Sequence, residues 1–325
     1  MRDRIEEEYT VWEEATMKRR IICLLLLSAL GLMLSACGKK SAVTTIAFSD
    51  KGASVKGSAA QAVKVEGDTV TITRSGSFDL SGTAKMQLSV DVEGGKAVYL
   101  NLNGLDLSYD TSAPVWIKNA SMVVITLGAG SQNTITDRHL YVPPEEDSEK
   151  SDNSVDIPSA AIYSRAPLFF DGSGKLTVNA ESYNGISTSD TFTMKNGHIS
   201  ITAEHHGIRG KDYVVISNGN LNIKCEGDGI KSTNTEKPNL GYINITGGNI
   251  NINADDEGIY AASSISVSEG TLTLKTKKTA FLTPGAINLT GGIIDIKTDS
   301  PAFSAAQSDI KDSVLITLNG RPYKR

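Results

Sequence analysis

Cysteine is scarce: the 325-residue chain contains 3, at Cys23, Cys37 and Cys225. Cys23 falls inside a short apolar run and Cys37 just beyond it. Cys225 is therefore alone in the rest of the chain, which excludes an intramolecular disulfide framework there. It alternates with Leu221 and Ile223, the setting of a small core residue and not of a nucleophile. Long apolar runs are missing too. The run from Ile21 to Leu34 is shorter than the ~20 residues a membrane-spanning helix needs. Aromatic residues make up 6% of the chain, and no repeating unit carries apolar residues at helical spacing, which disfavours helical and leucine-rich repeats. Positive charge is not in excess: a net charge of -5 and a pI near 5.5 argue against a nucleic-acid partner, which would require a basic face. Gly, Asn, Thr, Ser and Ile are abundant instead, a mixture suited to short strands joined by tight turns.

The turns recur at a fixed interval. A Gly-Ile or Ala-Phe step places Ile186, Ile208, Ile230, Ile259, Phe281 and Phe303 at intervals of 22, 22, 29, 22 and 22 residues. A second marker, the glycine at Gly197, Gly219, Gly248, Gly270 and Gly292, gives 22, 29, 22 and 22. Both markers register the same seven-residue insertion, near Thr233–Leu240 (TNTEKPNL). Within each unit apolar residues alternate with polar ones, as in Leu221/Ile223, Ile250/Ile252 and Leu272/Leu274, the pattern of half-buried strands. Such units cannot bury an inner face alone, but stacked coils share a continuous core. The expected fold is all-β, a parallel β-helix (solenoid) with coils of about 22 residues.

The amino-terminal region reads as an address. Lys18, Arg19 and Arg20 precede the apolar run, and Leu34-Ser35-Ala36-Cys37-Gly38 resembles the lipobox of bacterial lipoproteins. That resemblance implies cleavage before Cys37 and lipidation of Cys37, giving an exported protein anchored in a membrane at the bacterial cell surface. Translation is expected to begin at Met17, leaving residues 1–16 as an upstream assignment and 17–36 as the signal peptide. Residues 37–67 are read as tether and amino-terminal cap, 68–303 as the β-helix and 304–325 as the carboxyl-terminal cap. Residues 138–158 (RHLYVPPEEDSEKSDNSVDIP) read as an acidic Pro/Ser loop.

In a parallel solenoid, equivalent positions on successive coils lie about 4.8 Å apart, so sequence repeats become surface rows. Four residues before the repeating Ile stand Glu204, Glu226 and Asp255; two before stand His206, Asp228 and Glu257, with Asp256 between the acidic positions of its own coil. Carboxylates on neighbouring coils can share a Ca²⁺ ion, because two Ca–O distances of about 2.3–2.6 Å nearly span the coil spacing. Glu226, Asp228, Asp255, Asp256 and Glu257 are the metal candidates. The competing reading is that acidic turn residues only accept nearby backbone N–H groups. One residue after Ile stand Arg209, Lys231 and Tyr260, and Lys211 follows on the first of these coils. Arg209, Lys211 and Lys231 are candidates for the carboxylates of uronic acids, and Tyr260, like Tyr183, Tyr213 and Tyr242, for stacking on sugar rings. His205 and His206, if on a strand, would point to opposite faces.

These rows come with a set of phrases: Leu100-Asn101-Leu102-Asn103-Gly104, Ala113-Pro114-Val115, Gly207-Ile208-Arg209-Gly210-Lys211-Asp212, Gly227-Asp228-Gly229-Ile230-Lys231-Ser232 and Gly241-Tyr242-Ile243-Asn244-Ile245-Thr246-Gly247-Gly248. In that order, from about Val70 to Ile296, the chain resembles a bacterial carbohydrate-binding β-helix family with a pectate-lyase-like fold. The resemblance implies a single-stranded right-handed parallel β-helix, calcium binding, and affinity for pectin-like or cellulosic polysaccharide without established catalysis. Asp228 matches the family's acidic position before Gly-Ile, and Glu257 matches it with a longer side chain. Asn184 and His206 depart from it, and Thr279 and Pro301 abandon it, which confines a calcium row to the coils around Asp228 and Asp255–Glu257.

The expected function is a monomeric, lipid-anchored surface protein that binds acidic or cellulosic polysaccharide with help from Ca²⁺. A Ca²⁺-dependent pectate-type lyase is the alternative, with Lys211 or Arg209 as the base beside the acidic cluster. A structural or adhesive surface protein is a second alternative. Hydrolysis ranks last, because the paired-Asp and Arg-x-Lys phrases of β-helix polygalacturonases are not evident.

Overall fold

Period-two alternation yields short strands with one buried and one exposed side, and such strands gain stability by stacking their buried sides. The computed structural model describes residues 43–140 and 158–323. The segments 1–16 and 17–36, Cys37 and most of the acidic segment 138–158 lie outside the described residues. Among the described residues there is no α-helix, and a single 3-10 turn covers Ala60–Ala62. A regular coil contributes three strands, as in Tyr213–Ile216, Asn220–Cys225 and Ile230–Ser232. Each pairs in parallel with its equivalent on the next coil, Tyr242–Ile245, Asn249–Ala254 and Ile259–Ala261. The stack therefore has three sheets, called first, second and third in that order, arranged as in a parallel β-helix.

The register reproduces the repeat. Ile186, Ile208, Ile230, Ile259, Phe281 and Phe303 are successive Cα partners along the third sheet. All but Phe303 are fully buried. The turn glycines of the second marker, Gly197, Gly219, Gly248, Gly270 and Gly292, have φ between 92° and 121°, a backbone region that L side chains rarely adopt. The insertion sits between Ser232 and Tyr242, outside every strand. Asn234 anchors it: its Oδ1 accepts the N–H groups of Glu236 and Lys237 at 2.9 and 3.1 Å, and its Nδ2 donates to Asp212 at 2.6 Å. Cys225 is buried and free, as its alternation suggests. Its Sγ–H donates to the Gly227 carbonyl, and burial pushes the thiol up to about 12.

The Gly of each Gly-Ile step has a packing reason. A Cβ on Gly229 would meet Ile252 Cγ2 at 2.4 Å and the Gly258 carbonyl oxygen at 2.6 Å. Gly207 stands in the same relation to Ile223 and Gly229. At this corner the core isoleucines of the second sheet occupy the space a side chain would need.

The earlier coils are less regular. Strands Gly76–Lys85 and Ala97–Tyr109 run through the corner between the first two sheets and join them. Buried Asn133 holds the bend in the second of these, its Oδ1 accepting the N–H groups of Gly104 and Leu105 at 2.9 Å each. Antiparallel pairs occur near the two ends of the stack: Thr44–Ser49 with Gly52–Lys56, Val63–Glu66 with Thr69–Ile72, and Leu315–Leu318 with Arg321–Pro322. Before that last hairpin, strands Gln307–Ile310 and Leu315–Leu318 still continue the first two sheets in parallel.

Packing at the Gly-Ile corner is directly testable. Gly229→Ala should lower the urea midpoint by the equivalent of about 1–3 kcal/mol, the usual effect of overfilling a tight core. Ser200→Ala, on an exposed strand position, should leave it nearly unchanged. Equal midpoints for the two variants would refute the steric account.

Candidate functional site

The second sheet ends at Ala203, Cys225 and Ala254, and the third resumes at Ile208, Ile230 and Ile259. The four-residue turns between them carry most of the charge singled out in the sequence. Their backbone is held by a side-chain ladder that climbs from coil to coil. Asn184 Oδ1 accepts the His206 N–H at 3.1 Å, His206 Nδ1 accepts the Asp228 N–H at 2.9 Å, and Asp228 Oδ1 accepts the Glu257 N–H at 3.2 Å. Each position needs an acceptor but not a charge, which explains why Asn, His and Asp alternate in this row.

His206 fills its place only as a neutral ring. Burial, reinforced by the nearby Lys231 charge, pushes its pKa down to about 2. Its 3.4 Å approach to Asp228 Oδ2 is therefore no salt bridge. The two histidines do not take opposite faces. They lie in a turn and not on a strand, and their ring centroids are 3.7 Å apart. Tyr183 stacks on His205 at 4.3 Å.

Asp228, 2% exposed, has one oxygen in the ladder; its other oxygen meets Lys231 Nζ at 2.7 Å. Oxygens of Asp228, Asp256 and Glu257 lie within 4.8 Å of one another. Three carboxyls so close cannot all stay ionised without a cation between them. Burial and hydrogen bonding to Asp256 and Asp228 push Glu257 up to about 8, so at neutral pH it holds a proton that it donates to its neighbours. Burial also works against the charge of Asp256, but the Glu257 hydrogen bond and the Lys278 ammonium outweigh it and hold that carboxyl below the usual range. Lys278 Nζ stands 2.5 Å from Asp256 Oδ1.

Of the five metal candidates, the structure brings together Asp228, Asp256 and Glu257. Glu226 is exposed and outside the group. Asp255 pairs with Lys277 at 2.6 Å. The fit to a hard cation is chemical: the group offers only carboxylate oxygens, the ligands Ca²⁺ takes, and it carries a proton where a cation would sit. The sequence reading missed Lys278, although the repeat contained the signal. Lys277 and Lys278 stand 22 residues after Asp255 and Asp256, one coil along.

Arg209, Lys231 and Tyr260 are consecutive partners on the third sheet, in a row beside the carboxyls. Lys231 Nζ also lies 5.1 Å from the Tyr260 ring centroid. The guanidinium of Arg209 donates to Thr233 of the insertion at 3.3 Å. Lys211 Nζ reaches Glu236 of the same loop at 3.5 Å. Tyr213 and Tyr242 stack on each other at 5.0 Å on the first sheet, away from this row.

Glu257 gives a pH signature. Unfolded, it releases its proton near the ordinary 4.5; folded, near 8. Between those values the folded chain binds more protons, so the stabilisation is complete below 4.5 and is lost as pH rises through about 8. In EDTA, the thermal midpoint of Glu257→Gln should fall less between pH 5 and pH 8.5 than that of the wild type. Parallel curves would show that Glu257 is not protonated in the fold.

A family profile described as carbohydrate-binding domain-containing protein matches residues 66–283. A curated relative from Acetivibrio thermocellus with the same description is 40% identical over 237 residues, 70% of this chain and 80% of its own length. The fold is similar to that of a polysaccharide lyase-like protein from C. thermocellum, solved as a gadolinium derivative, with 31% identity and a TM-score of 0.66. That match covers 84% of this chain and 98% of the other. By these matches, spanning most of the three-sheet stack, the chain belongs to the family of carbohydrate-binding domain-containing proteins.

Proposed function

We propose that this protein binds acidic, pectin-like polysaccharide on its third-sheet side, with Ca²⁺ held by Asp228, Asp256 and Glu257. The observation that carries the proposal is the carboxyl group of three beside the Arg209–Lys231–Tyr260 row. A cation there would take the place of the Glu257 proton and displace the exposed Lys278 side chain. Ca²⁺ supplies open coordination positions for ligand oxygens. Arg209, which donates to the Thr233 hydroxyl, can form a two-pronged pair with a uronate carboxylate, and Tyr260 offers an aromatic face. Many weak contacts repeated along a chain raise avidity without a deep pocket.

Binding is favoured over lyase chemistry by the surroundings of the candidate bases. Lys211 Nζ is held at 3.5 Å from Glu236, and the Arg209 guanidinium donates to Thr233. On this reading the chain is an exported monomer, anchored through lipid on Cys37 at the bacterial surface. Its coils wind right-handed, as parallel crossover connections almost always do.

Titration of the purified full chain with polygalacturonate, with Ca²⁺ or EDTA, tests the reading. Calcium should tighten binding, and Asp228→Asn with Glu257→Gln should remove that gain while leaving no unsaturated product in either protein. Ultraviolet-absorbing product that disappears in Lys211→Ala would make the protein a lyase. Wild-type affinity that Ca²⁺ fails to raise above its value in EDTA would remove the metal from the account.

A further inference from the structure

A second feature of the molecule lies on the other side of the turns, on the outer face of the second sheet. Strands His198–Ala203, Asn220–Cys225, Asn249–Ala254 and Thr271–Thr276 pair in strict register. Their outward residues form two adjacent rows. One runs Ser200, Asn222, Asn251, Thr273; the other runs Thr202, Lys224, Asn253, Lys275 and on to Lys297. As far as Thr273 and Lys275 they line an open groove of about 420 Å³ that crosses four coils. Its lining carries the hydroxyls of Ser200, Thr202 and Thr273 and the amides of Asn222, Asn251 and Asn253. Asn251 Nδ2 donates to Asn222 Oδ1 at 3.0 Å, a bond that uses neither the Asn222 Nδ2 nor the Asn251 Oδ1. A donor and an acceptor side by side suit sugar hydroxyls, which both give and take hydrogen bonds.

The lysines set the charge of this face. Lysines on the adjoining turns and corner stand opposite acids: Lys231, Lys277 and Lys278 have a carboxylate at 2.5–2.7 Å. Lys224, Lys275 and Lys297 are exposed and make no ion pair among the described residues. Lys275 and Lys297 are direct register partners, so two like charges stack one coil apart, an arrangement that costs stability in a sheet. An anion lying along the groove would resolve that repulsion.

We infer that this groove is a second glycan-binding site, which takes an extended acidic polysaccharide along the stack without calcium. Its hydroxyls meet Asn222 and Asn251, and its carboxylates meet Lys224 and Lys275. The inference rests on the proposed binding of acidic glycans, but it uses none of the residues of the carboxyl cluster.

The test measures polygalacturonate binding to the full chain in EDTA. Lys224→Glu with Lys275→Glu should weaken it at least about tenfold, whereas Asp228→Asn with Glu257→Gln should leave it intact. Lys224 and Lys275 are exposed, so the thermal midpoint of the lysine variant should stay near that of the wild type; if charge reversal unfolds the chain, Lys224→Gln with Lys275→Gln gives the same reading. Wild-type binding in EDTA that survives both lysine variants would overturn the groove and leave the calcium site standing. Binding that requires Ca²⁺ would do the same. Lysine-dependent capture by anionic phospholipid vesicles without affinity for polygalacturonate would assign the groove to a lipid surface and overturn the inference. A wild type that binds no glycan under either condition would sink the proposed function as well.

Discussion

The parallel backbone ladder governs this molecule. It fixes neighbouring coils about 4.8 Å apart and admits no lateral slip where the inner side chains are buried. Each side chain thus faces its own equivalent on the coil before and the coil after. Inside, the result is favourable, because isoleucine packs on isoleucine from Ile186 to Ile259 and phenylalanine follows phenylalanine at Phe281 and Phe303. Outside, the same geometry turns every charged position into a problem of like meeting like.

The surface resolves that problem in three ways. Asp255 and Asp256 face Lys277 and Lys278 on the next coil, so alternation of sign settles the matter locally. Asp228 and Glu257, also neighbours across a coil boundary, share a proton and borrow Lys231. Lys275 and Lys297 are left facing each other. The first arrangement is structural and self-contained. The other two remain dependent on something from solution, a proton or cation in one case and an anion in the other, and these are the regions where ligand binding is proposed.

Much of this was legible in the sequence because a solenoid converts interval into position. Two markers with one period located the coils, the insertion and the rows, and the register confirms their equivalences residue by residue. The site was only partly legible. That Asp228 and Glu257 occupy one row follows from spacing; that Asp256 joins them while Glu226 and Asp255 turn away depends on the path of a four-residue turn, which spacing does not encode. His205 and His206 show the same limit, since alternation applies to strands and they lie in a turn. The hydrogen-bond ladder through Asn184, His206 and Asp228 was hidden because its members share a function as acceptors and not a residue type. The lysine groove was hidden because Lys224 and Lys275 lie two coils apart in a row interrupted by Asn253.

The seven-residue insertion bears on how such a chain finds its native arrangement. Coils of equal length and similar composition are nearly interchangeable, and a strand that docks one coil too early still buries isoleucine against isoleucine. The longer coil removes that ambiguity. The bond of Asn234 to Asp212, and of the Gly241 N–H to the Asp212 carbonyl at 2.6 Å, close only when the loop lies beside its own predecessor. The loop thus acts as an index mark within a repetitive tape, the one place along the regular coils where neighbours differ in length.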